Sequence, residues 1–148
     1  MAERQGLSLD NIIKQRYAVD GDDFTLAGAN SSKVKKYLKQ LGLPQEVIRR
    51  VAIAMYEAEI NMVIHADGGF IDVEISPEKI HIIFSDKGPG IPDIEKAMQE
   101  GFSTASHEIR ELGFGAGMGL PNIKTNSDKM KIDTIVGEGT CIDLEFNV

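Results

Sequence analysis

The sequence is poor in the features that mark secreted and membrane proteins. It has one cysteine among 148 residues, Cys141, so an internal disulfide framework is impossible and a reducing compartment is favoured. No apolar run approaches the roughly 20 residues that a membrane-spanning helix needs. Residues 1–5, Met-Ala-Glu-Arg-Gln, lack the basic-then-apolar order of a signal peptide. We therefore expect a cytoplasmic protein with no membrane-spanning segment.

Basic residues are also outnumbered. With 16 Lys and Arg against 23 Asp and Glu, the formal net charge is −7 and the isoelectric point is near 4.9. This charge argues against nucleic acid as the main partner, because such binding usually needs a basic face that displaces phosphate counterions. The sequence also lacks the Gly-Lys-Ser/Thr of a P-loop and the Gly-x-Gly-x-x-Gly of a dinucleotide-binding fold.

The composition is that of an ordinary folded domain. Apolar residues make up 42% and charged residues 26%, as in soluble globular proteins. A chain of this length buries roughly 68–70% of the surface that its unfolded form exposes, which is enough for a core without disulfides. We find no repeat, low-complexity tract or linker, so we predict a single domain over residues 1–148.

The hydrophobic periodicity predicts an alternation of strands and helices. The predicted elements in chain order are a strand at 12–19, helices at 24–41 and 45–66, a hairpin of strands at 70–75 and 79–84, a short helix at 94–100, a Gly/Ser/Thr-rich stretch at 101–119, a helix at 120–126, and a closing hairpin at 130–135 and 140–146. The predicted core consists of Ile48, Val51, Met55, Ile71, Val73, Ile82, Phe84, Ile132 and Ile142.

Two polar residues on the longest predicted helix, Glu57 and Asn61, are four positions apart and therefore share one face. An amide oxygen can ligate Mg²⁺, and a carboxylate can accept a proton or orient a nucleophile. Taken alone, such a pair is more often the solvated face of an amphipathic helix.

One glycine motif follows the first predicted hairpin, and another forms the turn of the closing hairpin. Asp86, after a hydrophobic strand, could accept a hydrogen bond from an exocyclic amine, and Gly88 and Gly90 would let the backbone approach a flat ring. The alternative is an ordinary Asp-initiated turn. Thr140 enters the last strand after a Gly-Glu-Gly segment that, by itself, is only a hairpin turn.

A third glycine motif opens the helix predicted at 120–126. Gly115, Gly117 and Gly119 alternate before it, so backbone N–H groups and the helix dipole could together hold an anion. Without further context, the segment is as well explained as a flexible loop.

The order of these motifs resembles the GHKL (Bergerat-fold) ATPase superfamily. Residues 86–93, 101–104 and 115–120 are further similar to the serine/threonine kinases and anti-sigma factors of bacterial partner-switching systems. The resemblance implies a two-layer α/β (α+β) sandwich, in which a mixed β-sheet packs on about three helices, with ATP and Mg²⁺ as cofactors.

Roles for individual residues follow from the same resemblance. Asn61 would ligate the Mg²⁺ that bridges the ATP phosphates, and Glu57 would act as the catalytic base. Asp86 would receive the adenine N6 amine. The remaining implied contacts are Gly88 and Gly90 beside the base, Thr140 supporting adenine, and Gly115, Gly117 and Gly119 donating N–H groups to the phosphates. Further candidates for phosphate contacts are Ser103, Thr104 and Lys124. His65 could continue the helix face that carries Glu57 and Asn61, or could cap the end of the helix.

The implied reaction is γ-phosphoryl transfer from ATP to a serine or threonine of a STAS-type antagonist protein. The implied partners are that antagonist or a sigma factor, and a homodimer is possible. Two alternatives stay open: a nucleotide-dependent anti-sigma binding module with little catalysis, and a free-standing ATPase domain of the histidine-kinase type.

Overall fold

The computed structural model describes residues 12–21, 27–66, 68–91, 94, 98 and 119–148. The elements within these ranges are β1 (Ile13–Asp20), α1 (Ala29–Gln40), α2 (Gln45–His65), β2 (Gly68–Ile75), β3 (Lys79–Asp86), α3 (Gly119–Asn126), β4 (Lys129–Ile135) and β5 (Gly139–Asn147). The predicted bounds of every strand lie within two residues of the observed ones. The same is true of the helices predicted at 45–66 and 120–126. The first predicted helix begins later, at Ala29, and of the short helix at 94–100 only Ile94 and Met98 are described; they are joined by a helical backbone hydrogen bond.

The five strands form one sheet in the order β1-β2-β3-β5-β4, and each of the four pairings is antiparallel. The predicted two-layer sandwich with three helices is confirmed. Our expectation of a mixed sheet was wrong for the described strands. Because β3 and β4 both run antiparallel to β5, a parallel pair would form only if β4 lay beside β3. The second strand of the closing hairpin, β5, lies beside β3 instead.

Alternation along the strands explains which face of the sheet is covered. On β5, Thr140, Ile142, Leu144 and Phe146 are buried, while Cys141 and the residues at alternate positions are only half-buried or exposed. This period of two is typical of an antiparallel sheet that packs one face against a helical layer. All nine predicted core residues lie in or against this core, although Ile132 is only partly buried.

The helical layer has α2 at its centre, with α1 and α3 packed against it. The apolar stripe of α2 includes Val51, Met55 and Met62, which are at most 3% exposed. Within the described residues, no helix is both long and apolar enough to cross a bilayer. The central position of α2 means that polar residues on its flanks face the neighbouring helices.

One charged residue of α2, Glu59, is buried at 1% exposure and caps α1 from a distance. Its two carboxylate oxygens accept the backbone N–H groups of Asn30 and Ser31, at 3.2 and 3.0 Å. Gly28, which precedes α1, has a left-handed conformation (φ 89°) and makes no side-chain cap of its own. The carboxylate therefore satisfies donors that the first turn of any helix leaves unpaired.

Candidate nucleotide-binding site

Glu57 and Asn61 lie on the side of α2 that faces α3. The Nδ2 group of Asn122, on α3, donates a hydrogen bond of 2.9 Å to Oε2 of Glu57. At the first residue of α3, Gly119, an added Cβ would lie 2.9 Å from Nδ2 and 3.1 Å from Oδ1 of Asn61. A side chain at this position would displace the Asn61 amide, so the glycine permits the start of α3 to approach Asn61 closely.

The far end of α3 is fixed to α2 as well. The guanidinium of Arg50 contacts the Asn126 carbonyl oxygen at 3.4 Å and the Asp128 carboxylate at 3.0 Å. The same carboxylate oxygen accepts the backbone N–H of Asn147, at 2.7 Å. Because α2 and α3 run antiparallel and are tied together at both ends, the polar row of α2 faces a fixed neighbour.

Asp86 is the last residue of β3, and its carboxylate is oriented by two backbone donors. Oδ1 accepts the N–H of Gly88 at 2.9 Å, which closes an Asp-initiated turn, and the N–H of Thr140 at 3.2 Å. Within the described part of the chain, no hydrogen bond to Oδ2 is found. The structure thus contains the turn that we considered as an alternative and still leaves an oriented oxygen that can accept from a ligand.

The close strands around Asp86 depend on glycine. Gly139 has a φ of +140°, and a Cβ on it would lie 2.2 Å from the Asp86 carbonyl oxygen. Gly90 has a φ of +80°, and a Cβ there would lie 2.7 Å from the carbonyl oxygen of Ile135. The Asp86–Gly90 turn therefore packs directly on the β4–β5 hairpin.

The hydroxyl of Thr140 points to a second threonine. Its Oγ1 lies 3.0 Å from Oγ1 of Thr134 on β4, and Thr134 Oγ1 accepts the N–H of Ile91 at 2.8 Å. Gly137 N–H, in the hairpin turn, donates to the carbonyl oxygen of Pro89 at 2.8 Å. Thr140 is 9% exposed, so its hydroxyl supports the turn that carries Gly88 and Gly90 and adds a polar group beneath it.

The predicted residues thus fall into two groups. Glu57, Asn61 and Gly119 meet at the α2–α3 contact, and the rest of the described ones meet at the end of β3: Asp86, Gly88, Gly90 and Thr140. Gly115, Gly117, Ser103 and Thr104 lie outside the described residues. His65 ends α2, and Lys124 is exposed and lines an open groove with Met98 and Met130.

Sequence reasoning missed three residues that shape this region: Glu59, Asn122 and Thr134. A signal existed for the first two. Glu59 is four residues after Met55 on the apolar stripe, which predicts burial, and Asn122 is three after Gly119, which predicts a shared helix face. For Thr134 there was no signal, because its role depends on the register between β4 and β5.

A magnesium ion would fit this site if the protein and the phosphates together supplied its ligands. Within the described ranges, no cluster of three or more His, Cys, Asp or Glu side chains could hold a metal by itself. Mg²⁺ usually retains several waters and is bound through one or two protein groups together with phosphate oxygens. A single amide oxygen from Asn61 is compatible with that chemistry.

Comparisons with known proteins identify the family of the chain. The family model described as a histidine kinase-like ATPase domain matches residues 25–146. The serine/threonine-protein kinase RsbT of Bacillus subtilis is 36% identical over 106 residues, which are 69% of this chain and 74% of that protein. An anti-sigma F factor of a Thermoanaerobacter species is 37% identical over 114 residues, covering 74% of this chain and 76% of that protein.

Solved structures extend the comparison to the fold. The crystal structure of the RsbU and RsbW domains of a Mycobacterium tuberculosis protein superposes with a TM-score of 0.62 at 14% identity, over 90% of this chain and 32% of that longer one. The mycobacterial sensor histidine kinase MprB gives a TM-score of 0.52 at 16% identity, over 91% and 97% of the two chains. The chain belongs to the histidine kinase-like (GHKL) ATPase domain family.

Proposed function

We propose that this chain is one cytoplasmic ATP-binding domain that acts as a serine/threonine protein kinase in a partner-switching system. It would transfer the γ-phosphoryl group of ATP to a serine or threonine of a STAS-type antagonist. The observation that carries the proposal is the arrangement of Glu57 and Asn61 on one face of α2, directly opposite the glycine that starts α3. The serine/threonine kinase among the relatives supports the same conclusion.

Each residue has a role that its position permits. Oδ2 of Asp86 accepts the adenine amine, while its Oδ1 keeps the turn in place through Gly88 and Thr140. Asn61 supplies one ligand for Mg²⁺, which neutralises phosphate charge when bound. Glu57 accepts the proton of the attacking hydroxyl. Phosphoryl transfer needs mostly positioning and charge stabilisation, which these groups can supply in part.

The glycines before α3 complete the proposed site. Gly115, Gly117 and Gly119 would donate backbone N–H groups to the phosphates, with the N-terminus of α3 behind them. Phosphorylation of the partner adds nearly two negative charges, which is enough to break or remake a complex between proteins. That consequence is the reason for expecting a regulatory role.

A second candidate is a nucleotide-dependent anti-sigma module that binds its partner with little catalysis. The anti-sigma F factors among the relatives favour it, since one of them is 37% identical and the kinase is 36% identical. A free-standing ATPase domain of the histidine-kinase type is supported by likeness of fold alone. A homodimer is compatible with each of these candidates.

The first experiment measures Mg-ATP binding by titration calorimetry for the wild type, Asp86→Asn and Asp133→Asn. Asp133 is an exposed carboxylate on β4 and matches the charge change without touching the site. We expect tight, Mg-dependent binding that weakens only in Asp86→Asn. Equal binding by all three proteins would remove the adenine assignment.

The second experiment separates the kinase from the binding module. The protein is incubated with ATP labelled at the γ-phosphate and with a STAS-type protein. Labelled serine or threonine in the STAS-type protein, strongly reduced but still measurable with Glu57→Ala, supports the kinase. Binding of Mg-ATP without any labelled product would favour the anti-sigma module.

A further inference from the structure

The carboxylate of Glu57 is held by a residue that the resemblance does not assign. Nδ2 of Asn122 donates to its Oε2 at 2.9 Å, across the contact between α2 and α3, and both side chains are half-buried. The hydrogen bond has an ionised acceptor in a partly desolvated place, so it is stronger than one between neutral groups. It fixes one oxygen of Glu57, and among the described residues no hydrogen bond to the other, Oε1, is found, so Oε1 can accept from a second partner.

The short helix α3 contacts both functional residues of α2 at once. Gly119 lies against the amide of Asn61, and Asn122, one turn later, holds Glu57, one turn earlier on α2. The distance between the two groups is therefore set by two helices that run antiparallel and not by either side chain alone. A catalytic group needs this support, because a carboxylate on three rotatable bonds otherwise samples several directions.

We infer that Asn122 is a positioning residue, which orients the Glu57 carboxylate so that Oε1 can accept the proton of the attacking hydroxyl. The inference rests on the base role proposed for Glu57. The proton moves from the hydroxyl to Oε1 while the new O–P bond forms and the bond to the ADP oxygen breaks. Asn122 keeps its own protons and touches neither substrate nor nucleotide.

Asn122 is not alone in holding α3 against α2. Leu120 and Ile123 bury the apolar side of α3, at 7% and 0% exposure, and Arg50 ties its end to α2 through Asn126 and Asp128. Removal of the Asn122 side chain should therefore leave α3 in place and free only the Glu57 carboxylate. Its effect on catalysis can accordingly be separated from an effect on folding.

The test compares the wild type with Asn122→Ala and Asn122→Leu, which both lack the donor but differ in volume. ATP turnover to ADP and, with the STAS-type protein, label transfer are measured across ATP concentrations. We expect kcat to fall about tenfold or more, as for loss of a hydrogen bond to a charged group. KM for ATP and the calorimetric Kd for Mg-ATP should stay within about twofold of the wild-type values. A residue that only helped to bind ATP would change these two constants and leave kcat unchanged.

The matched control is Thr125→Ala, at an exposed position on the same helix. Its kcat and KM should equal those of the wild type, and thermal unfolding of all variants shows whether α3 remains packed. The same substitutions are then made in Glu57→Ala. There Asn122→Ala should cause no further loss, because the two residues act as one unit.

The outcomes distinguish the two proposals. If the wild type turns over no ATP and labels no protein, the kinase proposal fails and the role of Asn122 falls with it. If the wild type is active and Asn122→Ala and Asn122→Leu keep its kcat, the kinase proposal stands and the positioning role is wrong. An equal loss from Asn122→Ala with and without Glu57 also overturns the inference, since the effect would not pass through that carboxylate.

Discussion

The carboxylate of Glu59 accepts the backbone N–H of Ser31 at 3.0 Å, although 28 residues separate them along the chain. Burial raises the pKa of Glu59, while hydrogen bonds from the backbone of Ser31 and Asn30 lower it, and the net shift is upward. This buried acid therefore caps α1 and makes part of the folding free energy sensitive to pH. The proposed mechanism does not use it.

The first prediction concerns Glu59→Gln. A glutamine replaces one oxygen by an NH2 group that cannot accept a hydrogen bond, whereas both oxygens of a carboxyl group can accept in either protonation state. One N–H at the start of α1 therefore loses its partner, and the free energy of unfolding should fall by about 1–3 kcal/mol. Because the pKa of Glu59 is raised in the folded state, its contribution to stability is largest below the unfolded value of 4.5 and is lost as the pH rises through the folded value. The advantage of the wild type over the variant should therefore shrink from pH 4 to pH 8.

Urea unfolding of both proteins across that pH range measures the difference. Glu138→Gln is the matched control, because Glu138 is exposed in the β4–β5 turn; its effect should be small at each pH. A wild-type advantage that grows with pH would show that the cap is held mainly in its ionised form and would contradict the prediction.

The second prediction concerns Asp128, at the opposite end of the helical layer. A hydrogen bond from the backbone N–H of Asn147, followed by one from Arg50, lowers the pKa of Asp128. A lowered pKa contributes stability above the unfolded value of 3.8, and this is lost as the pH falls through the folded value. Asp128→Asn should destabilise the protein at pH 7 by about 1 kcal/mol, a small figure because solvent screens the pair.

The same urea measurement, repeated from pH 7 downwards, tests this sign. The cost of Asp128→Asn should decrease on acidification, the reverse of the trend at Glu59. Asp133→Asn provides a control at an exposed carboxylate with only a 3.8 Å contact to Lys131. A cost that does not change with pH would mean that the backbone contact, and not the charge, stabilises this end of α3.

Much of this architecture was predictable because its signals are local. The apolar spacing around Met55 defines α2, and the alternation near Val73 and Ile142 defines strands whose inward residues are buried as expected. The polar pair Glu57 and Asn61 needed only helical geometry to be placed on one face.

The features that escaped prediction depend on pairing between distant segments. The direction of the strand beside β3 depends on which strand of the last hairpin pairs with β3, and no local pattern in the sequence encodes that choice. The contacts of Asn122 with Glu57 and of Thr134 with Ile91 likewise require the packed structure. Asp86 shows an intermediate case, since its turn was predictable but its bond to Thr140 was not.

The third prediction is that Gly139→Ala disrupts the Asp86 turn. The new Cβ would lie 2.2 Å from a backbone oxygen, and the backbone would keep a φ of +140°, so the strands must separate. We expect a loss of about 3 kcal/mol or more in the free energy of unfolding. Gly137→Ala is the control: the φ is +85°, but an added Cβ would meet no described atom within 4 Å beyond its chain neighbours, so the change should cost about 1–2 kcal/mol from backbone strain alone. Similar losses in the two variants, measured by urea unfolding, would contradict the steric argument.

The last prediction tests whether Gly119 acts through Asn61. In Gly119→Ala the Cβ displaces the end of the Asn61 side chain, which can rotate, so the free energy of unfolding should change by less than about 1 kcal/mol. Mg-ATP affinity should nevertheless fall about tenfold, because the proposed metal ligand is moved, while binding of ATP without Mg²⁺ should change little. Asn61→Ala should lose the Mg²⁺ dependence altogether. Adding Gly119→Ala to Asn61→Ala should then weaken Mg-ATP binding, measured by calorimetry, no further. An additional loss would mean that the methyl group obstructs the phosphates directly. Wild-type Mg-ATP affinity in Gly119→Ala would mean that Asn61 is not the metal ligand.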